Sequence, residues 1–295
     1  MIRKRNLIGV FYDEKRTEFI CDLLIKHILP YEVFNQVVLV CNSDVSYQIA
    51  QCKFTNFPKI IVIQHNNEFA EFGAMTEAVR TLKSRGELSN SQNIFFNDTI
   101  FFNFKSNFRS TLYFLVTTQQ HLPLTQPYII GYIAYLKTKG EVFKLSVDKW
   151  VQTALFVMNN EALEKISDDF VGSLRLLKTD VSKERIYSNS FELLNEYFDP
   201  DVLSYHVGKW LFAGEWYKSS KYHDFNRKSL IQKIESIALE KYLSARLISE
   251  NAKFSKGFFC TKRELLKTIG NSFNFTTLRI YLFLLKFHFI AIKLK

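Results

Sequence analysis

Continuous apolar runs alternate with segments of helical spacing through the first hundred residues. Residues 6–12 (NLIGVFY), 36–40 (QVVLV), 60–63 (IIVI) and 94–96 (IFF) are short and rich in β-branched or aromatic side chains. Strands buried on both faces read this way. Between them, residues 16–29 place Phe19, Ile20, Leu23, Leu24 and Ile28 on one side of a helix that Pro30 ends. Residues 47–57 predict a shorter helix or connection, with Pro58 introducing the next strand. Ala74, Ala78, Val79 and Leu82 repeat at helical spacing after Gly73. This alternation predicts an α/β fold whose central sheet is mostly parallel and flanked by helices. Each run ends in polar residues: Asp13, then 41–44 (CNSD), 65–68 (HNNE) and 97–99 (NDT). Open α/β sheets bind ligands at the carboxyl ends of their strands, so function is expected there.

From Arg109 the pattern changes. Residues 110–117 and 128–136 read as strands or buried segments. Residues 150–158 (WVQTALFVM) precede a helix starting near Asn159, with Asn160 and Glu161 in its first turn. Residues 180–187 predict a polar loop and 190–197 a helix broken at 199–201 (DPD). An aromatic-rich stretch, 205–222, and a helix over 229–249 follow. Residues 1–225 are expected to form the main domain, with 226–295 a helical, basic C-terminal region.

The net charge of +10 is unevenly placed: residues 253–295 hold nine Lys and Arg against Glu264, a local balance of +8. Within that tail, 277–295 is strongly apolar but carries Arg279, Lys286 and Lys293 at seven-residue intervals, which a helix brings to one side. Two readings stand: an amphipathic helix lying on an anionic membrane surface, or a terminal helix covering the core with its basic side chains reaching to water. Cys21, Cys41, Cys52 and Cys260 have no metal-ligand spacing and read as reduced thiols, favouring the cytoplasm. No secretory leader and no apolar stretch of roughly 18 residues is evident. The expected location is therefore cytoplasmic, peripheral on the inner face of the cell membrane.

Asn67, Glu68 and 72–74 (FGA), then a helix, then a strand ending in Asn97-Asp98-Thr99, resemble a pattern of bacterial surface-polysaccharide glycosyltransferases, the rhamnan-synthesis-type branch included. Residues 150–158 are similar to the segment that follows in that group, and the resemblance covers about residues 6–200. It implies a GT-A-like fold and transfer of a sugar from a nucleotide-sugar donor, such as a UDP-, GDP- or dTDP-sugar, to a lipid-linked or cell-surface glycan. It further implies donor contacts from Phe11, Tyr12, Asn66, Asn67, Glu68, Gly73, Asn97, Asp98 and Thr99, and acceptor contacts from Trp150 and Gln152. Asp98 would act in catalysis and hold Mn²⁺ or Mg²⁺, joined by His206, while Glu192 would deprotonate the acceptor hydroxyl.

The sequence departs from the family's Asp-x-Asp pattern, since Asn97 and Thr99 flank a single carboxylate. Ordinary turn formation by Asn97 and Asp98, core packing by Phe11 and Tyr12 and helix–sheet packing at Gly73 are the competing readings. A non-catalytic scaffold of the same fold, or nucleic-acid binding by the basic tail, are the other functions considered. The near-neutral charge of residues 1–252 argues against nucleic acid.

Overall fold

The computed structural model describes residues 4–31, 34–100, 125–172, 194–195, 197–212 and 227–256. Its first half alternates as expected: β1 (Lys4–Phe11), α1 (Glu14–His27), β2 (Gln36–Cys41), α2 (Asp44–Phe54), β3 (Ile60–Gln64), α3 (Ala70–Ser84) and β4 (Ser91–Asn97). A long hairpin follows, β5 (Tyr128–Val142) and β6 (Leu145–Asn159), then α4 (Asn160–Lys165), α5 (Leu203–Phe212), α6 (Arg227–Ser249) and β7 (Lys253–Lys256). One seven-stranded sheet runs β3-β2-β1-β4-β6-β5-β7. The first four strands in that order pair in parallel, β6 is antiparallel to both neighbours, and β7 is parallel to β5. The protein is thus α/β, with a mixed, mostly parallel, Rossmann-like sheet flanked by helices.

Local chemistry sets where the helices begin. The Asp13 side chain accepts from the Arg16 amide, Ser43 from that of Ser46, and Asn159 from that of Ala162. Each is an N-cap, satisfying a donor that the first helical turn leaves without a partner. Alternate residues of the strands serve the two faces of the sheet. Leu7, Leu39, Ile94 and Phe96 pack with Ile20 and Leu24 of α1 and with Ala50 and Phe54 of α2. Ile8, Val10, Val38 and Phe95 pack with Met75 and Val79 of α3 and with Ala238 and Leu239 of α6.

The region expected as a C-terminal appendage joins this architecture as far as it is described. Helix α6 lies on the same core as α3, and β7 extends the sheet beside β5. The basic tail beyond Lys256, the segment 110–117 and the loop 180–187 lie outside the described residues. No helix among the described residues is long and apolar enough to cross a membrane.

The antiparallel pair β4–β6 is fixed by aromatic contact. Phe95 and Phe156 are register partners, stacked with centroids 4.8 Å apart, and Phe170 meets Phe95 edge-on at 5.2 Å. All three are fully buried. Phe95→Ala is expected to cost about 3–5 kcal/mol through lost burial and a residual cavity. It should lower the urea midpoint while leaving the denaturant slope unchanged.

Candidate functional site

The carboxyl edge of the parallel strands is organised by Asp98. Its carboxylate, immediately after β4, is fully buried. Oδ2 accepts from the amides of Tyr12 at 2.8 Å and Asp13 at 2.9 Å, and the Asp98 amide donates to the Val10 carbonyl. The turn after β4 is thereby tied to the turn that leads from β1 into α1. Oδ1 has no hydrogen-bond partner among the described residues and lies 3.6 Å from the Arg16 guanidinium. Burial raises the Asp98 pKa, opposed by the two amides and by Arg16. Asn97 Oδ1 accepts from both the amide and the hydroxyl of Thr99, closing a local turn.

At the edge strand, the turn between β3 and α3 holds an unusual backbone. Asn67, Phe69 and Ala70 all have positive φ (59°, 56° and 49°). Such conformations are disfavoured for non-glycine residues. A cleft of about 410 Å³ opens beside this turn, lined by His65, Asn66, Glu68, Gly73, Glu77 and Arg80 among others. A Cβ on Gly73 would lie 2.0 Å from the Glu68 carbonyl oxygen, so the glycine is required by close backbone approach. His65 Nδ1 sits 2.7 Å from Asn42 Oδ1, which links this turn to the one after β2. Burial lowers the His65 pKa, against the pull of Glu77 and Glu68.

Beyond β4 the sheet continues with β6, against which α6 packs. Gly131 pairs with Phe156 and Ile133 with Val151, so the intervening β6 residues are looped out against a single β5 residue. Phe96 pairs with Leu155 at the end of the β4–β6 ladder, which places this bulge just past the end of β4. Bulges of this kind re-aim side chains at strand ends. Helix α6 takes up the amides: Val151 N–H donates to Ser244 Oγ, and Thr153 donates both its amide (3.1 Å) and its hydroxyl (3.3 Å) to Glu240 Oε2. Beside them the Lys241 ammonium lies 4.1 Å from the centroid of the Trp150 ring and 3.9 Å from Glu240 Oε1. Its side chain is 5% exposed, and burial lowers its pKa to about 8. On α3, Glu71 accepts from the Tyr12 hydroxyl at 3.3 Å and from the Ser236 hydroxyl of α6 at 3.0 Å.

The expected site residues therefore fall in three places. Tyr12, Asn97, Asp98 and Thr99 meet at the β1–β4 junction; Asn66, Glu68 and Gly73 line the cleft at β3, with Asn67 in the turn between them. Gln152 lies in the β6 bulge and Trp150 two residues before it, paired with Ala134 of β5. Phe11 is fully buried against Phe96 at 6.1 Å, which is the core role. His206, on α5, packs edge-on to Trp150 at 5.8 Å. Glu192 lies outside the described residues.

Asp98 does not fit a divalent-metal ligand. One carboxylate oxygen holds two amides, the other faces a guanidinium, and the Asn97 amide oxygen is committed to Thr99. Among the described residues no three His, Cys, Asp or Glu side chains gather as a metal-ligand set.

Sequence reasoning missed Glu71, Ser236, Glu240 and Lys241. A signal existed: Lys241 shares the helical stripe of Ile234, Ala238 and Ala245, all buried. A lysine in that stripe is unusual, because lysine is almost never fully buried without a partner.

No protein-family model matches the chain. No curated protein matches it by sequence. Among solved structures, it is similar to the mannosyltransferase PcManGT from Pyrobaculum calidifontis in complex with GDP-Man and Mn²⁺. The identity is 11% over 85% of this chain and 88% of that one, with a TM-score of 0.39. A 4-diphosphocytidyl-2C-methyl-D-erythritol synthase is similar at 12% identity over 56% of this chain and 79% of that one, with a TM-score of 0.37. The bifunctional glycosyltransferase WbbM is similar at 12% identity over 57% of this chain and 33% of that one, with a TM-score of 0.32. None of these comparisons singles out the rhamnan-synthesis-type branch.

Two outcomes test the site's electrostatics. Asp98→Ala leaves the amides of Tyr12 and Asp13 without an acceptor and should destabilise the fold by about 2–4 kcal/mol in urea titration. Lys241→Met removes a buried ammonium. The folded-state pKa of Lys241, about 8, lies below its ordinary 10.5, so the unfolded chain binds more protons between those values. Wild-type stability therefore gains relative to the variant as pH rises from about 8 to 10.5, measured by denaturation at each pH.

Proposed function

We propose that the protein is a nucleotide-sugar-dependent glycosyltransferase that transfers a sugar to a lipid-linked or cell-surface glycan. The observation that supports this most is the alignment of the polar ends of β1, β2, β3 and β4 along one end of the sheet, with the β6 bulge just past the end of β4. The parallel side offers hydroxyl- and phosphate-binding groups: Tyr12, Asn66, Asn67, Glu68, Asn97 and Thr99. The antiparallel side, with Gln152 and Trp150, is where the acceptor would lie. The donor would then lie over the ends of the parallel strands and the acceptor beside it at the β6 bulge, the proximity that group transfer requires.

The leaving group is a nucleoside diphosphate, whose developing charge needs cationic partners. Because Asp98 does not fit a metal, this charge falls to basic side chains, and Arg16 in the first turn of α1 is placed for it. The basic tail would hold the enzyme at the inner face of an anionic membrane, where each basic residue near the surface contributes about 1 kcal/mol.

The test is thermal denaturation of the full chain with UDP, GDP, CMP or dTDP, each with and without Mn²⁺. A ligand bound only by the folded state stabilises it by mass action, about 2.7 kcal/mol at a hundredfold excess over Kd. One diphosphate is expected to raise the midpoint without Mn²⁺. A shift that requires Mn²⁺ would overturn the metal-free account of the phosphate charge. No shift with any of the four would overturn the transferase reading.

A further inference from the structure

We propose that Glu240 is the carboxylate that takes the proton from the attacking acceptor hydroxyl, an assignment that rests on the transferase reading above. Three carboxylates stand where β1, β4, α3 and α6 meet the β6 bulge: Asp98, Glu71 and Glu240. Asp98 is fully buried, with one oxygen on two amides and the other beside Arg16. Glu71 has both oxygens engaged, by Tyr12 and Ser236. Glu240 differs. Its Oε2 is anchored by the Thr153 amide and hydroxyl, while Oε1 has only the Lys241 ammonium, 3.9 Å away, among the described ion pairs. Its side chain is 21% exposed, and Thr153, which holds it, follows Gln152 in the stretch of β6 where the register with β5 breaks.

The surroundings suit a proton acceptor. A base needs one oxygen held in place and the other open, so that proton transfer requires no rearrangement. Thr153 supplies the hold. The charged groups around Glu240 are Lys241 and Lys233 on its own helix and Glu71 on α3; burial raises its pKa, Lys241 and Lys233 lower it, and Glu71 raises it. The other side of Lys241 is Trp150, against which His206 of α5 packs. In the reaction, the acceptor O–H bond breaks and its proton passes to Glu240 Oε1. The acceptor oxygen bonds to the anomeric carbon while the bond to the diphosphate oxygen breaks, and its electron pair leaves with the nucleoside diphosphate. This single displacement inverts the anomeric centre.

The experiment uses the full chain and the sugar nucleotide whose diphosphate raises its melting midpoint, with water in the acceptor's place and released diphosphate as the readout. Glu240→Gln keeps an oxygen for Thr153 and the shape of the side chain. It is expected to bind the diphosphate as wild type does, yet to lose rate by about 10²–10⁴-fold. The acidic limb of the wild-type pH profile, where rate rises with pH as Glu240 ionises, should disappear with it. Thr153→Val serves as the positional control and should keep that limb. A Glu240→Gln rate within threefold of wild type, an unchanged acidic limb, or loss of rate in Glu192→Gln instead would overturn the assignment while leaving the transferase reading intact. Wild type that binds a diphosphate but releases none from its sugar nucleotide would overturn it too, and would leave a donor-binding scaffold. If no diphosphate binds, the transferase reading itself falls.

Discussion

The candidate site depends on a buried carboxylate holding two backbone amides. Asp98 leaves water at the end of β4, and that desolvation is unfavourable for an ionised group. Two short amide donors and the nearby Arg16 guanidinium offset it. Hydrogen bonds to an ionised acceptor are stronger than neutral ones, and an amide without a partner in the interior is costly in its own right. The same contact therefore sets both the register of the β1–α1 turn and the placement of the residues beside it. Tyr12, whose amide is one of the two donors, is aimed from that turn toward α3.

From Tyr12 the constraint passes across the molecule. The tyrosine hydroxyl meets Glu71, Glu71 meets Ser236, and one turn further along α6 Glu240 holds the bulge of β6 through Thr153. The parallel half of the sheet is thus joined to the antiparallel half by polar contacts laid over an apolar core that α3 and α6 share. The division of labour is physical. Apolar packing fixes the helices against the sheet without specifying their rotation tightly. The hydrogen-bonded side chains specify that rotation, because a shift of one residue would leave several polar groups unsatisfied. The strained turn between β3 and α3 belongs to the same scheme, since Gly73 lets α3 begin directly beneath the Glu68 carbonyl.

Much of the parallel sheet was legible in the sequence because strands buried on both faces must be continuously apolar. Residues 6–12, 36–40, 60–63 and 94–96 all mark real strands, and the polar residues after them do form the strand-end turns. The second half was harder to read. Strand β5 continues to Val142 through Lys137, Thr138 and Lys139, exposed positions at a break in the register with β6 that no apolar run announces. The β6 bulge leaves no sequence trace, since residues 150–158 read only as an apolar segment that precedes a helix. Candidate site residues were read at the strand ends and none on α6, which reads as a core-facing helix. Polar residues in a buried stripe are the signal there, and a helix over 229–249 read only for its apolar face hides them.

The single carboxylate after β4 also bears on how charge is handled at the edge. A divalent cation needs several oxygen ligands that are not already committed. Here Asp98 Oδ2 is held by two amides, the Asn97 side-chain oxygen is held by Thr99, and the remaining Asp98 oxygen faces a guanidinium that would repel a cation. Among the described residues Asp98 offers one oxygen without a hydrogen bond, and a cation approaching it would meet Arg16. At the start of α1, Arg16 and the positive end of the helix dipole stand against the carboxylates of Asp98, Asp13 and Glu14. The residue that most resembles a metal ligand in the sequence thus serves, in the fold, to tie the turn after β4 to the turn that leads into α1.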